Sequence, residues 1–137
     1  MKPITILMIF IGCLAGSGWA SAGSPSPTPQ AKTANSSASL FQSAVSAYER
    51  KNYPVALKIF TKLAEQGDAS AQSALGFMYA NGEGVPKDYV QAAKWFYLGK
   101  ANGVEADKAI RQIESMMSHQ QIEQAQALAT QWWQNHH

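Results

Sequence analysis

The sequence has very little cysteine, no long apolar run in its main part, and no excess of one charge. Cys13 is its only cysteine, so no internal disulfide is available. No stretch after residue 22 approaches the roughly 20 apolar residues of a transmembrane helix. Removing Lys2 and Lys32 from the 11 basic residues leaves 9, against 9 acidic residues, all in residues 40–137. A neutral domain lacks the basic surface that nucleic acids and anionic membranes require.

Motifs for catalysis, metal binding and cofactor binding are also missing. There is no Gly-x-Ser-x-Gly elbow and no cysteine nucleophile beyond residue 13. His119 and Glu123 are spaced i and i+4, but two ligands do not make a zinc site. His136 and His137 lie at the chain end. The sequence therefore predicts no catalytic residue, no metal and no cofactor.

The N-terminal residues have the pattern of an export signal. Lys2 precedes an apolar run over residues 4–14, and small residues follow, ending in Ala-Ser-Ala at 20–22. This pattern predicts a signal peptide over residues 1–22 and export to the bacterial periplasm or the medium. The alternative takes Phe-Ile-Gly-Cys at residues 10–13 as a lipid-attachment box, with the protein anchored to a membrane through Cys13.

Composition divides the rest of the chain into a linker and a folded domain. Residues 23–39 carry no large apolar side chain and three prolines, which predicts a flexible linker. In residues 40–137 apolar positions recur at spacings of three and four, which predicts an all-helical domain. The sequence also predicts caps and breaks at Ser39 with Gln42, Pro54, Gly67, Asp68, Gly82, and Ser118 with Gln121.

The helices are related by an internal repeat. An offset of 36 aligns Tyr53, Ala56, Phe60 and Gly67 with Tyr89, Ala92, Phe96 and Gly103. An offset of 31 aligns Ala44, Ala47 and Tyr48 with Leu75, Met78 and Tyr79. The difference of five residues is the extra length of the connection over residues 82–86. The repeating unit is therefore a helical hairpin.

The glycine-rich connection of the second unit is predicted to join two helices rather than to hold a phosphate. A phosphate loop follows a strand and carries a lysine before serine or threonine, whereas a helical pattern precedes Gly82 here. Gly82 suits the left-handed position that ends a helix, Gly84 allows the chain to reverse, and Pro86 stiffens the entry into the next helix.

The residues of the second unit resemble the Sel-one-like repeat, a relative of the tetratricopeptide repeat. The motif positions are Leu75, Gly76, Met78, Tyr79, Gly82, Gly84, Val85, Asp88, Ala92, Trp95 and Phe96. The resemblance covers residues 69–103 well, while residues 38–67 are closer to a tetratricopeptide hairpin. Residues 104–135 depart further and suit a degenerate or capping helix pair. The resemblance implies a short right-handed α-solenoid of two repeats plus this pair, without intrinsic catalysis.

The family resemblance also implies a concave surface that contacts a protein or peptide, as a scaffold or adaptor does. First-helix residues that the repeat does not need for packing are predicted to line it: Gln42, Ser46, Glu49, Ser73, Phe77, Asn81, Lys108 and Gln112. Phe77 either anchors the bound peptide or packs on a neighbouring helix. The alternative function is binding of a small molecule or cell-wall fragment in the same groove.

Overall fold

The computed structural model describes residues 29–137, where the chain forms six α-helices and no strand. The helices are α1 (Pro29–Glu49), α2 (Tyr53–Glu65), α3 (Ala69–Asn81), α4 (Tyr89–Ala101), α5 (Asp107–Glu114) and α6 (His119–His136). The all-helical prediction is confirmed. None of these helices is long and apolar enough to cross a membrane. The predicted signal peptide, residues 1–22, and the predicted linker as far as residue 28 lie outside the described residues.

The helices pack in a row that forms the predicted short right-handed α-solenoid. Helix α1 packs on α2, α2 on α3, and α3 on α4, while α4 contacts both α5 and α6. Each of the two repeats has an edge-to-face aromatic pair in its core. The ring centroids of Phe41 and Phe60 lie 5.5 Å apart, and those of Phe77 and Phe96 lie 4.9 Å apart. Such pairs contribute beyond the apolar area they bury.

A buried glutamine links the second repeat to the first. Gln72 on α3 is fully buried, and its amide nitrogen donates to the Ala64 carbonyl at 3.1 Å. Its amide oxygen accepts from the Asn102 side chain at 2.9 Å. The two bonds tie α3 to the end of α2 and to the end of α4. They also give the buried amide group protein partners for its nitrogen and its oxygen.

Helices α1 to α4 are each followed by a residue in the left-handed conformation. These residues are Lys51, Gly67, Gly82 and Gly103, with φ of 60°, 89°, 71° and 103°. After α1, the Asn52 amide donates to the Ala47 carbonyl at 2.8 Å and the Lys51 amide to the Tyr48 carbonyl at 2.9 Å, which is the Schellman pattern. The offset of 31 places Lys51 opposite Gly82. The first repeat therefore makes the same turn without glycine.

Most of the predicted helix starts are confirmed. The Asp68 carboxylate accepts from the Ala71 amide at 2.9 Å and caps α3. Pro54 lies in the first turn of α2. Ser118 and Gln121 form the predicted capping box at α6. Caps of this kind satisfy amides that have no partner within the helix.

The start of α1 differs from the prediction. The helix begins at Pro29, so Ser39 lies inside it, and the predicted capping box with Gln42 is wrong. The Ser43 hydroxyl instead donates to the Ser39 carbonyl at 2.9 Å. Residues 30–39 contain alanine, glutamine and lysine but no glycine or proline, so nothing in the local sequence stops the helix from extending towards the N-terminus.

The glycine-rich connection after α3 packs against the first repeat. A Cβ atom added to Gly84 would lie 3.0 Å from the Tyr53 Cβ and 3.2 Å from the Tyr53 carbonyl oxygen. Beside it, the Tyr48 hydroxyl donates to the Glu83 carboxylate at 2.7 Å. Burial and this hydrogen bond raise the pKa of Tyr48 above its usual range. A helix leads into this connection, which joins α3 to α4 as the sequence predicts.

The other motif residues have structural roles. A Cβ on Gly76 would lie 2.6 Å from the Phe96 ring, so glycine lets α3 and α4 approach closely. Leu75, Ala92 and Phe96 are buried, and Tyr79 packs against the core while partly exposed. The Asp88 carboxylate accepts from the Gln91 amide at 3.1 Å and caps α4.

Candidate functional site

An open groove runs along the exposed side of α1 and the start of α2. We call it the α1 groove. It is lined by Ser39, Gln42, Ser43, Ser46, Ala47, Arg50, Asn52 and Val55, and encloses about 660 Å³. On α1 these residues recur at spacings of three and four, so they form one stripe along the helix.

Among the described residues, α1 is the first helix of the row. The offset of 31 aligns Ser46 with Phe77 and Ala47 with Met78, and both residues of α3 are buried. Helix α3 is packed between α2 and α4, whereas α1 packs mainly on α2. The position shared by Ser46 and Phe77 is therefore exposed in the first unit and buried in the second, while Ala47 is buried like Met78. Serine at position 46 suits the exposed end of a repeat array.

The side chains of the α1 groove combine hydrogen-bonding groups with one cation. Three serines, Gln42 and Asn52 supply hydroxyls and amides, and Arg50 supplies the only charge. Among the described residues, neither Arg50 nor the adjacent Lys51 forms an ion pair or a side-chain hydrogen bond. Val55 is 44% exposed and is the only exposed large apolar residue in this part of the chain.

The structure brings only two of the predicted concave-surface residues into one groove. Gln42 and Ser46 line the α1 groove. Glu49 is exposed on α1 but does not line it, and Asn81 is partly exposed at the end of α3. Lys108 and Gln112 are exposed on α5, which packs on α4 at the far end of the row. The predicted residues therefore do not form one continuous surface.

The prediction that Ser73 and Phe77 face a groove is wrong. Both are 5% exposed, and the Phe77 ring packs on Phe96. A Cβ on Gly99 would lie 2.9 Å from the Ser73 hydroxyl oxygen, which places Ser73 in the close contact between α3 and α4. The aligned residues of the first repeat were a poor guide, because Ser46 is exposed on α1 whereas Phe77 packs on Phe96 of α4. The sequence alternative, in which Phe77 packs on a neighbouring helix, is correct.

Several groove residues were missed by the sequence reasoning. Three of them lie at the turn between helices or in the first turn of α2: Arg50, Asn52 and Val55. The periodicity of a single helix does not predict which way such residues face. Ser39 was assigned to a cap and Ser43 was not considered. Extending the Gln42 and Ser46 stripe by one turn in each direction would have found Ser39, Ser43 and Arg50.

A second, smaller depression lies between α4 and α6. It encloses about 210 Å³ and is lined by Tyr97, Leu98, Ala101, Ala129, Thr130 and Trp133. Trp132 is buried against Trp95, with ring centroids 6.1 Å apart. The Tyr97 hydroxyl donates to the Glu114 carboxylate at 2.6 Å. Burial, and to a lesser extent this hydrogen bond, raises the pKa of Tyr97.

The histidines make local contacts at the helix ends. The rings of His136 and His137 stack on Trp132 and Trp133, with centroids 3.9 and 4.0 Å apart. His119 lies 3.4 Å from the Glu123 carboxylate. Among residues 29–137 no group of three or more histidine, cysteine or acidic side chains could hold a metal ion.

Comparison with known protein families agrees with the repeat boundaries. The model of the Sel1 repeat matches residues 41–68 and again residues 69–104. The first match contains the C-terminal part of α1, from residue 41, and all of α2, and the second contains α3 and α4. Residues 105–137 lie beyond both matches, in agreement with the more divergent terminal helix pair.

Proposed function

Because residues 41–104 belong to the Sel1 repeat family, whose repeats generally mediate contacts between proteins, we propose that this chain is an exported adaptor that binds a partner protein through the α1 groove. Sel1 repeat proteins are typically non-catalytic scaffolds. The partner is therefore held rather than chemically altered. The N-terminal sequence pattern, a lysine followed by an apolar run and small residues, supports export.

The observation that carries this proposal is the open, hydrogen-bonding face of α1. In the second repeat the residues aligned with Gln42 and Ser46, which are Ser73 and Phe77, are buried. In the first repeat Gln42 and Ser46 line an open groove, together with Asn52 at the start of α2. Protein interfaces have a polar rim and direct hydrogen bonds, and exposed polar side chains such as these can form both.

A small-molecule or cell-wall-fragment binder has less support from the geometry. Small-molecule sites typically enclose about 300 to 1,000 Å³ and are lined mainly by apolar and aromatic groups. The α1 groove has the volume, but its lining is mostly polar and it is open to solvent. The depression between α4 and α6 has an apolar lining with Tyr97 and Trp133, yet it encloses only about 210 Å³.

Site-specific cross-linking tests the adaptor function. With benzoylphenylalanine at position 46, illumination of the exporting cells should give a discrete cross-linked product. The same probe at Gln124, which is exposed on α6, serves as the matched control and should give none. The captured protein, once purified, should bind Ser46→Trp about tenfold more weakly than the unmodified chain, because the ring fills the groove. Equal binding to both chains would refute a role for the α1 groove.

Mass spectrometry of the protein recovered from the periplasm or medium tests export. We expect an N-terminus at Gly23, because the small residues 20–22 form the predicted cleavage site. A Cys13→Ser variant is the control and should be exported and processed identically. Recovery of a chain that begins with an acylated Cys13 would instead show a membrane-anchored lipoprotein.

A further inference from the structure

We propose that the α1 groove binds an acidic, extended segment of the partner protein, whose carboxylates pair with Arg50 and Lys51. This inference rests on the proposed adaptor function and adds the chemical class of the segment. Both basic residues lie where α1 ends and the chain turns towards α2. An extended segment along the stripe from Ser39 to Arg50 would reach both cations at this end of the groove.

The charge of the groove favours a negatively charged occupant. Arg50 is its only charged lining residue, and no carboxylate lines it. Glu49 and Lys51, on either side of Arg50 in the chain, are exposed and lie outside the lining. Since no described residue pairs with the Arg50 guanidinium, its donors are available to a carboxylate. Arginine binds carboxylates through two parallel hydrogen bonds, which gives direction as well as attraction.

Lys51 provides independent support because its backbone conformation is unfavourable for lysine. Its φ is 60°, whereas the aligned residue in the second repeat is Gly82, with φ of 71°. Glycine adopts this conformation without steric cost, whereas a residue with a Cβ atom adopts it only at a cost in energy. Lysine at this turn thus reduces stability while adding a second cation beside Arg50. Strained residues of this kind are concentrated at functional sites.

The remaining groove residues suit the backbone of an extended peptide. The side chains of Gln42, Ser46 and Asn52 make no hydrogen bond to any described residue, so their donors and acceptors face solvent. A peptide backbone presents amides and carbonyls at regular intervals, which such side chains can pair with. Val55 adds an exposed apolar contact at the α2 side of the groove.

The N-terminal part of the same chain cannot supply this occupant. No aspartate or glutamate occurs before Glu49, so the residues that precede α1 have no side-chain carboxylate for Arg50. In this proposal the carboxylates come from another molecule. A partner protein is the source that agrees with the repeat family.

The first test is a titration of the ¹⁵N-labelled protein with hexaglutamate, followed by NMR. We expect amide shifts confined to the α1 groove and its turn, about tenfold weaker binding by Arg50→Gln, and weakening by salt between about 50 and about 500 mM. Lys108→Gln, which removes a charge at the far end of the solenoid, is the control and should bind as the unmodified protein does. Arg50→Glu should lose hexaglutamate binding and gain binding of hexalysine.

The second test uses Lys51→Gly, which separates the role in binding from the role in folding. Its Tm should rise by about 4 °C or more as the strain is relieved, while hexaglutamate binding should weaken about threefold or more. A residue with a purely structural role would not show opposite changes in stability and affinity. An unchanged affinity for hexaglutamate in both Arg50→Gln and Lys51→Gly would overturn the proposal.

Three other outcomes would also overturn it. They are binding of hexaglutamine as tight as that of hexaglutamate, full competition by phosphate at equal total charge, and amide shifts without peptide that depend on protein concentration. These outcomes would indicate uncharged peptide binding, a small-anion site or self-association. The proposed function is tested separately: a partner cross-linked through position 46 that binds Arg50→Gln normally would refute the acidic segment and leave the adaptor function intact.

Discussion

The substitution Phe77→Ser is expected to lower the free energy of unfolding by about 3 to 5 kcal/mol, as truncation of a buried aromatic residue does. The ring is 5% exposed and packs edge to face on Phe96, with centroids 4.9 Å apart. Serine would leave a cavity beside Phe96 and bury a hydroxyl. The nearby Ser73 hydroxyl already lacks a hydrogen-bond partner in the structure, so a second unpaired hydroxyl adds a further cost. Urea denaturation followed by circular dichroism measures the loss.

The aligned position in the first repeat provides the control for Phe77→Ser. Ser46 is exposed on α1, and Ser46→Ala should change the free energy of unfolding by less than about 0.5 kcal/mol. A domain of this size typically has about 5 to 15 kcal/mol of stability, so Phe77→Ser removes a large part of it. A loss below about 1 kcal/mol would place Phe77 at the surface and restore it as a binding residue.

The second large effect is expected for Gly84→Ala, which should cost about 2 to 4 kcal/mol. Its φ of 78° strains any other residue. The added methyl group would also lie 3.0 Å from the Tyr53 Cβ and 3.2 Å from its carbonyl oxygen. Because the contact includes backbone atoms, the connection must move away from the first repeat. Thermal and urea unfolding both measure the cost.

Gly67→Ala is the matched control, because Gly67 has the same backbone constraint without the contact. Its φ is 89°, and a Cβ there would meet nothing within 4 Å. It should therefore cost about 1 kcal/mol, from the strain alone. The difference between the two variants measures the contact between the connection and the first repeat. Equal losses would mean that Gly84 is needed only for its φ and that the repeats do not depend on this contact.

The sequence by itself determined the helical class, most helix ends and the repeat. Spacings of three and four, the cap at Asp68, the stop at Gly82 and the box at Ser118 are local signals. Each signal depends on a few neighbouring residues, so it can be read from the sequence without knowing the tertiary packing. The length of α1 was misjudged because residues 29–39 contain no apolar stripe, although their helix formers allow α1 to extend to Pro29.

Only the tertiary structure decided which face of each first helix is open. Phe77 and Ser46 occupy aligned positions, yet α3 has packed helices on both sides and α1 does not. The left-handed Lys51 was also hidden, since lysine gives no local signal for positive φ. Burial depends on neighbours that are distant in sequence, and a repeat at the end of a row has fewer of them. The α1 groove therefore follows from the position of α1 in the solenoid, and its charge follows from the residues that the turn after it places there.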